Sequence, residues 1–146
     1  MKKILTTLIA LFALSIQASE FPQGSPTFFT SAPAVMQAAK NNGKPVILIF
    51  SASWCGPCQA MKNEVYPSSE VRPLQDKFNW AYLDIDNEAN SQLADGFRVG
   101  SIPYIVFVNA EGTTVLNVQQ GGSPPKEFAK ELTRVLQRAE RAKTAG

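Results

Sequence analysis

Cys55 and Cys58 are the only cysteines in the 146-residue chain, and two residues separate them in "FSASWCGPCQAMKNEV", residues 50 to 65. That type and spacing admit three chemistries: a structural disulfide, half of a metal site, or a dithiol that opens and closes as its work. The metal reading fails on ligand count. Zinc sites draw on about four Cys or His ligands, whereas the sequence holds two cysteines and no histidine. Haem attachment needs a histidine directly after the second cysteine, and Gln59 stands there. An inert bridge stays open, although a loop this short constrains the unfolded chain very little. As a dithiol the pair has distinct roles. Cys55 would sit at the start of a helix, where free backbone N–H groups and the macrodipole stabilise a thiolate, and would be the nucleophile. Cys58, one turn further in, would be buried and would resolve the mixed disulfide. Gly56 adds no side chain beside the reacting sulfur. Pro57 falls where a missing N–H costs nothing.

Compartment decides which of these readings holds. "MKKILTTLIALFALSIQASEFP" has Lys2 and Lys3, an apolar run from Ile4 to Ile16, and small residues around Ala18. This is the pattern of a secretory signal peptide over residues 1 to 18, with the mature chain expected to begin at Ser19. The run is shorter than the roughly 20 residues that span a bilayer, and no cysteine lies at the junction to be acylated. A soluble periplasmic protein is expected. Removing Lys2 and Lys3 from the fourteen basic residues leaves twelve, against twelve acidic ones. A mature charge near zero gives no reason to expect nucleic acid or an anionic membrane as partner. The remaining length suits one domain with a real core, and a monomer, so no staple is needed for folding.

The elements that must hold the pair follow from local pattern. Residues 19 to 30, "SEFPQGSPTFFT", carry no period and read as a loose or draped N-terminal arm whose aromatics can dock on the body. The domain proper is expected over 31 to 146. Its first helix has Ser31 as N-cap, Pro33 in the first turn and Gly43 past its end. "PVILIF", 45 to 50, is apolar without alternation, as in a strand covered on both faces. "QAMKNEVY" reads as helix up to a stop or kink near Pro67, and a short helix begins around Pro73. "WAYLDI" is a strand, and "NEANSQLADGF" a helix leading into a loop. "YIVFVN" and "TTVLNV" are strands joined by "AEG". Phe128, Leu132, Val135, Leu136 and Ala139 recur at helical spacing in the last helix. The order implies an α/β fold, a mixed central β-sheet with helices on both faces. "DIDNE", 84 to 88, is no calcium loop, because Ala89 stands where that loop needs glycine.

"WCGPC" followed by "SIPYIVF" resembles the thioredoxin family, over roughly residues 34 to 142. "KPVILIFSASWCGPCQAMKNEVY" is similar to exported thioredoxin-like proteins and to the C-terminal domain of the membrane disulfide reductase DsbD. The resemblance implies a thioredoxin fold and a redox-active Cys55–Cys58 disulfide as the only redox group, with no cofactor. It implies that Pro103 is a cis-proline against the pair, leaving the Ile102 backbone free to meet an extended substrate. Trp54, Ile102, Gly121 and Gly122 would rim that docking surface. It implies a thiol:disulfide oxidoreductase acting mostly as reductant on disulfide-containing exported proteins, since Gly56–Pro57 and Ile102 match reducing members. Such a reductant needs recharging, by a membrane electron donor of the DsbD type. An oxidase or isomerase on the same fold, or a binding or assembly chaperone with an incidental dithiol, are the alternatives. The sequence departs from the family in one place: the buried Asp and its Lys partner are replaced by Ile49 and Tyr82. An apolar floor beneath Cys58 is therefore expected, with its proton leaving through water or a surface acid such as Glu64.

Overall fold

A computed structural model describes residues 20 to 145; the signal-peptide expectation for residues 1 to 18, and its cleavage before Ser19, lie outside the described residues. Five strands and five α-helices follow one another as β1 (Phe28–Phe29), α1 (Ala32–Asn42), β2 (Val46–Ser51), α2 (Gly56–Ala60), α3 (Arg72–Gln75), β3 (Asn79–Asp84), α4 (Glu88–Gly96), β4 (Tyr104–Val108), β5 (Val115–Gln120) and α5 (Pro125–Thr144). Helix α2 runs on without a break into a π-helical turn, Met61–Val65. The sheet order is β1-β3-β2-β4-β5. β1, β3 and β2 are mutually parallel, and β4 pairs antiparallel with both β2 and β5.

Strand β2 is central, and all six of its residues are buried. Its lack of alternation is explained by two cores, one on each face. Ile47 and Ile49 point into a cluster with Met61, Trp80, Phe107, Phe128 and Leu132, which the π turn and α5 cover. Val46, Leu48 and Phe50 point the other way, against Val35 and Ala39 of α1 and Ala94 of α4. Helix α5 buries Phe128, Leu132, Val135 and Ala139, with Leu136 packed at the margin.

Of the two readings of the arm, the draped one holds, with its aromatics docked on the body. Phe28 and Phe29 form a short parallel strand against Trp80 and Ala81. The Phe28 ring packs edge-on against Tyr66, Trp80 and Tyr82. Phe21 stacks on Phe28 at 4.4 Å and meets Tyr82 at 5.2 Å. Gln75 Nε2 donates to the Gly24 carbonyl at 2.8 Å, fastening the bend between them. The arm is thus the sheet edge and part of one core.

Strand β5 starts two residues later than "TTVLNV" suggests, because Asn109 caps the hairpin. Its Oδ1 accepts from the Thr113 and Thr114 N–H groups at 2.8 and 2.9 Å, which holds both residues in the loop. Gly112 supplies the left-handed turn residue at φ 71°.

Candidate active site

Strand β2 delivers the chain to the cysteines. After Ser51 the backbone turns, and the Cys55 N–H donates to the Ala52 carbonyl at 3.2 Å. Cys55 caps α2 in extended conformation, and the Cys58 N–H donates to its Sγ at 3.2 Å. The two residues form a disulfide with Cα atoms 5.3 Å apart. Gly56 and Pro57 occupy the first turn, so no hydrogen-bonded N–H is lost at the proline. Cys55 is 6% exposed and Cys58 1%. Ala52, Ile85 and Ile102 pack around the pair.

Of the residues expected at the rim, the structure places Ile102 beside Cys55 and bonds Gly121 to Pro103, the residue after it. The Ile102–Pro103 peptide is cis, and Cys55 Sγ lies 3.6 Å from the Ile102 carbonyl oxygen. The Gly121 N–H donates to the Pro103 carbonyl at 2.8 Å, and Gly121 takes φ 81°. Gly122 lies against Met61, and the Ser123 N–H approaches the Met61 sulfur at 3.4 Å. Met61 thereby ties the 121–123 turn to the helical segment that carries the cysteines, a link that sequence reading missed. Trp54 stands 66% exposed next to Cys55. Its indole N–H donates to both Asp86 carboxylate oxygens, at 3.1 and 3.2 Å. Asp86 was also unforeseen, since "DIDNE" was weighed only as a calcium loop and set aside; its neighbour Asn87 caps α4.

Ile49 and Tyr82, at the positions expected to form the floor, are register partners on β2 and β3. Ile49 is fully buried, as an apolar floor requires. The floor is not wholly apolar, however. Ser51, on the same face of β2 as Ile49, donates to the Tyr82 hydroxyl at 2.6 Å. Burial raises the Tyr82 phenol above its ordinary range; the hydrogen bond from Ser51 opposes this, the negative charge of Glu20 adds to it, and a hydrogen bond from Gln59 opposes it again. Tyr66, fully enclosed, is raised further, by burial first and by Tyr82 second. Glu64 is exposed on the outer side of the π turn. The acids that line the cavity behind the cysteine helix are instead Asp84 and Glu20, the latter with its carboxylate 3.5 Å from Lys62 Nζ. Lys62 in turn lies 4.7 Å above the Phe21 ring and 5.9 Å from that of Tyr82.

Among the described residues no group of His, Cys, Asp and Glu could hold a metal ion, and no helix is long and apolar enough to cross a membrane. The family pattern described as "Thioredoxin-like domain" matches residues 32 to 136. The chain is 28% identical over 141 residues to a Synechocystis protein, the thiol:disulfide interchange protein TxlA homolog, covering 92% of this chain and 77% of that one. Other relatives, 32 to 34% identical, are matched over only 34 to 40% of their own length. A thioredoxin from Thermus thermophilus superposes with a TM-score of 0.71 at 27% identity, over 79% of this chain and 90% of the other. The C-terminal domain of Neisseria meningitidis DsbD in its oxidised form superposes at 0.63 and 21% identity, over 74% of this chain and 98% of the other, a likeness of fold.

Proposed function

The chain belongs to the thioredoxin-like family, and we propose that it is a periplasmic thiol:disulfide oxidoreductase that reduces disulfides in exported proteins. The observation that carries this is the Cys55–Cys58 disulfide at the start of α2, set against the Ile102 carbonyl. In the reduced protein the Cys55 thiolate attacks a substrate disulfide, forming a Cys55–substrate bond and releasing one substrate thiol. Cys58 loses its proton and attacks the Cys55 sulfur. The Cys55–Cys58 bond forms, and the second substrate sulfur leaves and takes up a proton. Two electrons pass from the protein to the substrate.

Geometry supports this division of labour. Cys55 is the more exposed sulfur, and the Cys58 N–H already points at it, placed to stabilise a thiolate. Ile102 offers its backbone beside the sulfur, and Trp54 and the Gly121–Gly122 turn give a rim on which an extended segment of a substrate lies. The signal-peptide pattern of residues 1 to 18 supports export, and the Gly56–Pro57 pair with Ile102 supports the reducing direction. A membrane donor of the DsbD type would return the protein to its dithiol form. The test is turnover of a disulfide-bonded protein with dithiothreitol as electron source. Cys55→Ser is expected to abolish it; a double Cys→Ser variant that keeps the full biological activity would show a binding protein instead.

A further inference from the structure

Resting on that reading, the docking rim poses a question of precision. Gly121 and Gly122 lie in the connection from β5 to α5, and adjacent glycines hold one position only when other groups fasten them. Three contacts do so. The Gly121 N–H donates to the Pro103 carbonyl at 2.8 Å, which joins the turn to the cis-proline. The Gln119 side-chain amide donates to the Gly121 carbonyl and to Ser123 Oγ, both at 3.1 Å, and clasps the turn from its own strand. The third contact comes from a distant segment. The Ser123 N–H donates to the Met61 sulfur at 3.4 Å.

Met61 is itself held at both ends. Its backbone N–H donates to the carbonyls of Pro57 and Cys58, inside the redox motif. Its side chain is 2% exposed and lies under the turn: a Cβ on Gly122 would stand 3.6 Å from Met61 Cγ and 3.7 Å from its sulfur. One residue thus spans from the cysteine helix to the docking turn. The position makes two demands, an apolar filler beneath Gly122 and an acceptor for the half-buried Ser123 N–H. Leucine or isoleucine meets only the first, whereas a thioether fills apolar space and accepts a hydrogen bond weakly. We propose that Met61 is a positioning residue for substrate docking: its sulfur holds the Ser123 N–H, and with it the Gly121–Gly122 turn, in fixed relation to Pro103 and to the cysteine helix. A protein substrate then meets a rim already in place, and the cost of ordering the turn does not fall on binding. A small disulfide has no extended segment to lay on the turn and gains nothing from the link. Met61 acts through the turn, and the exchange steps at the sulfurs are those already described.

The test changes the sulfur and little else. Met36, which lies against Gly112 in the β4–β5 hairpin, is first replaced by Met36→Leu, leaving Met61 as the only methionine after Met1. Norleucine incorporated for methionine then exchanges the sulfur for a methylene, and selenomethionine exchanges it for another acceptor. Reduction of insulin with dithiothreitol as electron source is followed for each protein. The norleucine protein is expected to show a KM raised by about two- to tenfold, the worth of holding one mobile group, with kcat within about twofold, the pattern of lost binding rather than lost chemistry. The selenomethionine protein should keep the KM of the methionine one. Met61→Leu, a volume-conserving change that cores tolerate, should raise KM in the same sense. The Ser123 amide should lose protection from hydrogen exchange in the norleucine protein. An unchanged KM in both the norleucine protein and Met61→Leu would overturn the proposal, and so would a KM raised equally by norleucine and selenomethionine, which would mark a packing role. If the unaltered protein failed to reduce insulin, the functional reading itself would fall.

Discussion

Replacing Ile49 by Asp places a carboxyl group at a site with 0% exposure, among Met61, Tyr82 and Ile105. Loss of the buried isoleucine side chain costs about 2–3 kcal/mol in apolar burial. The neutral carboxyl, with no partner in that cluster, adds about 1–3 kcal/mol. Ionisation costs more. Full burial raises a carboxyl by about 3 units or more from its unfolded value near 3.9, and each unit is worth about 1.4 kcal/mol. Because the folded value is the raised one, this further penalty is absent below about pH 4 and grows through the unfolded value up to the folded one. It reaches about 4 kcal/mol near pH 7. The total then approaches the whole stability of a typical domain, about 5–15 kcal/mol. Urea unfolding of both proteins between about pH 4.5 and pH 7 measures it, and the difference between them removes titrations common to both. The gap should widen with pH by at least about 2 kcal/mol over that window. A gap that stays constant would mean that water or a polar group reaches position 49, and the floor would not be the apolar one described.

Cys58→Ser should accumulate mixed disulfides through Cys55 in the cells that make it, recoverable by mass spectrometry; a folded variant with no adduct at Cys55 would contradict the assigned roles. Phe28→Ala should cost about 2–3 kcal/mol in urea unfolding, below the full range for a buried aromatic because its ring is only partly enclosed. A change under about 0.5 kcal/mol, the range of ordinary surface positions, would return the arm to a loose extension. Trp54→Ala should leave stability within about 0.5 kcal/mol, since the ring is mostly exposed, while raising KM for a protein disulfide; an unchanged KM would remove Trp54 from the docking rim.

What the sequence disclosed and what it hid separate along physical lines. The unalternating run at 45 to 50 disclosed a two-sided strand because burial on both faces writes itself into every residue. Helix α5 was legible for the same reason, its apolar stripe being long enough to show a period. The cysteine pair announced its site because those residue types at that spacing have few other uses. Phe28 and Phe29 did not announce a strand, since two residues carry no period and their pairing is decided by Trp80 and Ala81, over fifty residues away. The start of β5 was displaced by a side chain, Asn109, whose bonds to Thr113 and Thr114 no propensity encodes. The replacement of an acid by Ile49 was readable, and the polar pair of Ser51 and Tyr82 beside it was not, because that contact crosses between strands. The same is true of Glu20, which the docked arm brings to the cavity that Glu64, closer in sequence to the cysteines, does not reach.

The reducing role rests on one quantity, the equilibrium potential of the Cys55–Cys58 couple. It is measured by equilibrating the protein in dithiothreitol or glutathione buffers of graded potential and quantifying free thiols after acid quench and alkylation. A value near that of thioredoxin, about −270 mV, is the expected result. A value near that of the oxidant DsbA, about −120 mV, would contradict the account, because a couple so poised would donate its disulfide to exported proteins rather than remove theirs.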